Sequence, residues 1–188
     1  MIDIVIWIIV AVSLSALFIT LGTGANAAFM TPKNSSVIAL KFASFMAVSY
    51  FGFYCIGAWV TQFLLEWLPV DMWILTSAAL FFAVAVKTIW NVFSYKAEDN
   101  VYNLSKTAIQ LLLCFAAGFN ALLLSISLTL INAPVIKTAL ILTLGTFTGA
   151  LSGTRLSADT AKSVTKLRPA LLGGGILLAL AVYLFLQR

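Results

Sequence analysis

The chain has 188 residues, of which 62% are hydrophobic and only 9% charged. A water-soluble domain carries about 25% charged residues, so this composition excludes a soluble globular protein and makes the bilayer the solvent. The net charge of +5 sits in short segments between apolar runs, which reads as orientation in a membrane and not as nucleic-acid binding.

Six apolar stretches, each of spanning length, follow in chain order: residues 4–23, 37–65, 72–93, 109–131, 135–156 and 170–186. The first lacks a basic leader segment and the apolar pattern continues beyond it, so it reads as a span and not as a cleaved signal. Gly22 and Gly24 fall at its end. Thr31-Pro32-Lys33-Asn34 closes the first loop. The second stretch exceeds what the hydrocarbon requires, so it tilts or leaves its end in the interface, with Trp67 and Trp73 as anchors. Leu68-Pro69, Asn132-Ala133-Pro134 and Arg168-Pro169 punctuate the later boundaries. The longest polar segment, 94–110, divides the chain near its midpoint. The organisation is therefore an N-terminal three-helix unit over 1–95, a linker over 96–107 and a C-terminal three-helix unit over 108–188, all-α throughout.

Charge orients the spans. If six of them alternate, Lys33 and Lys41 flank loop 1, and Lys87, Lys96 and Lys106 surround loop 3. Arg155, Lys162, Lys166 and Arg168 surround loop 5. The opposite side receives Lys137 and Arg188, with Glu66 and Asp71. A nine-to-two division places loops 1, 3 and 5 in the cytoplasm and both termini outside it. In a bacterium this is the inner (plasma) membrane.

The two halves echo each other. Ser15-Ala16-Leu17 returns as Asn120-Ala121-Leu122, and Asn26-Ala27 as Asn132-Ala133, at offsets of 105 and 106 residues. Three spans per half invert the second copy, the 3+3 plan that places binding sites near the midplane between the halves. Ser13, Ser15, Asn120 and Ser125 on spans 1 and 4 are candidates for a solute pathway. The bland alternative for each Ser is a hydrogen bond between helices. Asn120 is the sharpest candidate, since a buried amide is costly without partners. Gly145, Gly149 and Gly153 recur every fourth residue, which puts them on one helix face for close packing.

No enzyme chemistry has a foothold. There is no His, no GxSxG and no P-loop pattern. Cys55 and Cys114 form no CxxC, and no cofactor is indicated.

Ser13-Leu14-Ser15-Ala16, Leu64-Leu65-Glu66-Trp67, Phe119-Asn120-Ala121 and Leu171-Leu172-Gly173-Gly174 give the chain a family likeness. It resembles the MntP-type manganese exporters of bacteria, within the LysE-like transporters, over nearly its whole length. The resemblance implies manganese efflux through carboxylates, with an Asp in each repeat motif and further acids in spans 2 and 3. Here Ser15 and Asn120 stand at the motif positions, and Met46 and Asn91 at the others. Asn91 thereby joins the pathway candidates, and Ser15 with Asn120 become the candidate metal ligands, facing each other near the midplane. All six acids map to loops or span ends. A divalent cation in low dielectric without a compensating negative charge is costly, which argues against standard manganese export.

Three functions stay open: a divergent exporter with altered or lost metal selectivity, a transport-inactive subunit of a larger membrane complex, and a thiol–disulfide carrier resembling the CcdA type. The partners expected are the bilayer, a divalent cation and other membrane subunits, and not a nucleic acid.

Overall fold

The computed structural model describes residues 2–28, 36–94, 104–156, 160–161, 164 and 168–187. Six helices carry the apolar stretches: α1 Ile2–Ala28, α2 Ser36–Trp67, α3 Trp73–Ser94, α4 Thr107–Leu130, α5 Val135–Thr154 and α6 Pro169–Leu186. All six are long and apolar enough to cross a membrane, and no strand occurs among the described residues. Helix is the form such segments adopt in lipid, because each then satisfies its own backbone polar groups. Loop 1 with Lys33, the greater part of the 96–107 linker, and Lys162 and Lys166 of loop 5 lie outside the described residues.

Local sequence explains the ends. Asn132 adopts a left-handed φ of 59°. The amides of Asn132 and Ala133 donate back to the carbonyls of Thr129 and Leu128, both at 3.0 Å, which closes α4 with a Schellman motif. At about 1.5 Å per residue, the 32-residue α2 is about 48 Å long and overruns a hydrocarbon core of about 30 Å. It ends before Pro69, and a 3-10 turn at Val70–Met72 leads into α3. The Trp73 indole N–H donates to the Leu68 carbonyl at 3.1 Å across that corner. Gly22, Gly24 and Asn26, expected at or beyond the end of the first span, lie inside α1. The helix continues through the glycines because neighbours hold it: Gly24 lies against the backbone of Ala150 and Thr154, and Gly22 against Pro169.

The order of contacts along each seam fixes helix directions. On α5, Gly145, Gly149 and Gly153 face Ser13, Leu17 and Leu21 of α1 in that order, so these helices run parallel. Along the α2–α4 seam, Ser49 meets Cys114 and Gly57 meets Leu122, again parallel. Gly173 of α6 meets Ser15 while Pro169 meets Gly22, so α1 and α6 are antiparallel. These directions are those of six alternating spans.

The closest seams are α1–α5, α2–α4 and α3–α6, supplemented by α2–α5, α1–α6 and α3–α4. Exchanging α1 with α4, α2 with α5 and α3 with α6 leaves this set unchanged. Val12, Phe42, Phe81, Leu124, Leu142 and Leu177 are buried inside the bundle, while Trp7, Trp59, Trp90 and Phe119 are exposed on its outer surface. An apolar exterior over a packed interior is the arrangement a bilayer requires.

Candidate functional site

A cavity of about 480 Å³ enters the bundle from the end where α1 and α3 finish and α2, α4 and α6 begin. Its polar lining comes from Thr20, Thr23 and Asn26 on α1, Tyr50 on α2, Lys87, Thr88 and Asn91 on α3, Asn120 on α4, and Arg168 at the start of α6. Met46, Val84, Leu113 and Leu124 are among the apolar groups that complete it.

Lys87 dominates the electrostatics. Its ammonium donates to Asn120 Oδ1 at 2.8 Å and lies 5.2 Å from the centre of the Phe119 ring. Helical side chains lean toward the N-terminus of their own helix. Lys87, seven residues before the end of α3, therefore leans inward from a depth of about 10 Å. Asn120, thirteen residues into the antiparallel α4, leans outward from a depth of about 20 Å. They meet about 15 Å in from the helix ends, near the middle of both helices. Arg168 adds a second positive charge, its guanidinium 5.5 Å from the centre of the Phe93 ring.

No acid lines the cavity among the described residues, and no group of acids, cysteines or histidines could hold a metal there. Glu66 and Asp71 lie at the opposite end of the bundle, where α2 passes into α3. Thr20 and Thr88 donate to the carbonyls of Ala16 and Val84, so their hydroxyl protons are committed to their own helices.

Of the residues marked in the sequence, the cavity brings together Asn91 and Asn120. Ser15 is fully buried outside it, donating to the Gly173 carbonyl at 2.9 Å across the α1–α6 seam. Ser15 and Asn120 thus do not share a cavity surface: one reaches α6 and the other α3. Ser13 lies 3.5 Å from the Ile141 carbonyl oxygen, and Ser125 donates to the Tyr54 carbonyl. These three serines tie helices together. Ser15→Ala is expected to lower thermal stability in detergent by about 1 kcal/mol, the worth of one interhelical hydrogen bond in lipid. A shift equivalent to more than about 3 kcal/mol would show that Ser15 does more than bridge two helices.

Among the lining groups that the sequence alone does not place at the site are Lys87 and Arg168, which read as loop charges, and Tyr50 and Thr88. The available signal was spacing: Lys87 and Asn91, four apart, lie on one face of α3 within the apolar stretch. Cys55 is exposed, Cys114 is buried, and both are free thiols. Cys55 adjoins Tyr54, which bonds Ser125, and Cys114 lies eleven residues from Ser125, about 16 Å along α4.

A family model described as "Putative manganese efflux pump" (MntP) matches residues 29–185. The chain belongs to the MntP family. The match takes in α2 to α6, with Lys87, Asn91 and Asn120, and begins after α1 and Ser15. No curated protein and no solved structure matches the chain. This MntP-family protein is accordingly a multipass membrane protein, and its family is one of manganese efflux transporters. The lining of its cavity is nevertheless cationic.

Proposed function

We propose that this protein is a divergent MntP-family carrier that has lost manganese selectivity. The observation that carries the reading is the Lys87 ammonium, bonded to Asn120 near the middle of α3 and α4 in a cavity with no carboxylate among its described lining. Mn²⁺ is a hard dication served by oxygen ligands, above all carboxylates. At an effective dielectric of about 20, a lysine about 4 Å away opposes a dication by about 8 kcal/mol. Amides and hydroxyls do not offset that. Protein reconstituted in liposomes is expected to give no Mn²⁺ flux above protein-free vesicles. Saturable Mn²⁺ flux would overturn the reading.

A 3+3 inverted repeat, with units 1–95 and 108–188 joined through 96–107, underlies the architecture in this proposal. It is supported by the set of helix seams, which survives exchange of the halves. The cavity mouth then faces the cytoplasm of a bacterial inner membrane, with both termini outside. Reporters fused after Lys96 and Lys166 are expected on the cytoplasmic side; a reporter found on opposite sides for the two would break this topology.

A transport-inactive subunit is the second reading. One observation favours it: Lys87 already supplies Asn120 with a cation from within the chain. Purification from native membrane in mild detergent with a stoichiometric partner, combined with no flux of any solute, would select it.

A further inference from the structure

We infer that the Lys87 cavity is a binding site for a small oxyanion, a solute presenting a carboxylate, phosphate or sulfate group. This deepens the reading of the cavity as a solute site and rests on it.

Charge is the first argument. The described lining holds two cationic side chains, Lys87 and Arg168, and no anionic one. An ammonium has three protons, and Asn120 Oδ1 takes one. The others are available to a ligand in the cavity. An intramembrane charge is costly and normally marks a pathway or awaits a partner.

Donor geometry is the second. With Oδ1 turned to Lys87, the Asn120 amide presents its N–H groups away from the lysine. Asn26 on α1, Tyr50 on α2 and Asn91 on α3 add further donor groups to the lining. The start of α6 also opens on the cavity, since Pro169 and Ala170 line it; Pro169 has no N–H and the Leu171 N–H donates to the Arg168 carbonyl at 2.8 Å, which leaves the Ala170 N–H as a donor at that lining. The dipole of a helix N-terminus favours an anion. Here that end lines the same cavity as the Lys87 ammonium.

Size is the third argument. A cavity of about 480 Å³ lies within the range of small-molecule sites, with room for an oxyanion and part of its hydration shell.

The test uses the full chain in nanodiscs of phosphatidylcholine alone, in chloride-free buffer at neutral pH, titrated separately with acetate, inorganic phosphate and sulfate by calorimetry. At least one is expected to bind saturably. Lys87→Gln is expected to weaken it at least tenfold, whereas Lys87→Arg keeps it within a few-fold. Asn120→Asp, which places a carboxylate against the lysine, is expected to abolish it, and this variant decides the matter if Lys87→Gln does not fold. If binding appears only as Lys87-dependent retention of phosphatidylglycerol in mixed nanodiscs, the oxyanion is a lipid headgroup and the site stands. No binding in either lipid, or equal binding by wild type, Lys87→Gln and Asn120→Asp, overturns the inference. Absence of both oxyanion binding and Mn²⁺ flux removes this inference and leaves the manganese-insensitive reading in place; Mn²⁺ flux removes that reading itself.

Discussion

Replacing Lys87 by glutamate and Asn120 by aspartate together is expected to create manganese binding that the native chain lacks. The two side chains meet at 2.8 Å in the wild type, so the double variant puts two carboxylates where an ammonium and an amide now stand. The local formal charge changes from +1 to −2. With an effective dielectric of about 20, each unit charge about 4 Å from a dication contributes about 8 kcal/mol of Coulomb energy. Desolvation of the ion and of the carboxylates cancels much of that. A gain of at least 100-fold in Mn²⁺ affinity, about 2.7 kcal/mol, is a conservative expectation. Without metal, two carboxylates so close cannot both ionise readily, so binding should release protons and strengthen as pH rises through the carboxylate range. Calorimetry in two buffers of different ionisation enthalpy reads both effects. A double variant that folds and binds Mn²⁺ no better than wild type would show that cavity charge does not set selectivity.

The second large effect lies in the α1–α5 seam. A Cβ built on Gly153 falls 2.5 Å from the Leu21 carbonyl oxygen and 2.8 Å from the Ala25 nitrogen. Both are backbone atoms of a helix, which cannot rotate aside as a side chain can. Gly153→Leu must therefore push α1 and α5 apart, at a cost of about 3 kcal/mol or more, the upper part of the range for overpacking. Gly52→Leu is the control, because nothing lies within 4 Å of its Cβ position. Removing a helical glycine there is expected to be neutral or stabilising by up to about 1 kcal/mol. Thermal unfolding in detergent should separate the two sharply. Equal melting of Gly153→Leu and Gly52→Leu would mean that the α1–α5 contact is not as close as described.

Particular residues show where sequence reading stopped. The six spans were legible because apolar content and length are local quantities. Their ends came out within a few residues, except at the end of α1, which runs to Ala28 through Gly22 and Gly24. Those glycines resemble a terminator in isolation. They serve as surfaces for α5 and α6 only because α5 and α6 are there. The series Gly145, Gly149 and Gly153 defines one face from helical spacing alone, but the identity of the helix it meets is not a local property.

Lys87 is the same lesson with functional weight. Near the end of an apolar run, a lysine reads as a loop charge that reaches for the headgroups. Its actual direction depends on α4 presenting Asn120 at the depth to which α3 makes the side chain lean. Ser15 and Asn120 look equivalent in sequence, yet one meets a glycine backbone and the other a lysine in a cavity.

Residue type and order along the chain were enough to fix the solvent, the number of spans, their alternation and the position of Glu66 and Asp71 at span ends. Which polar groups are spent on joining helices, and which face open space, is a matter of how the helices pack. That division depends on the rotation of each helix about its axis and on the neighbour it packs against. Both are set by contacts between residues far apart in the chain.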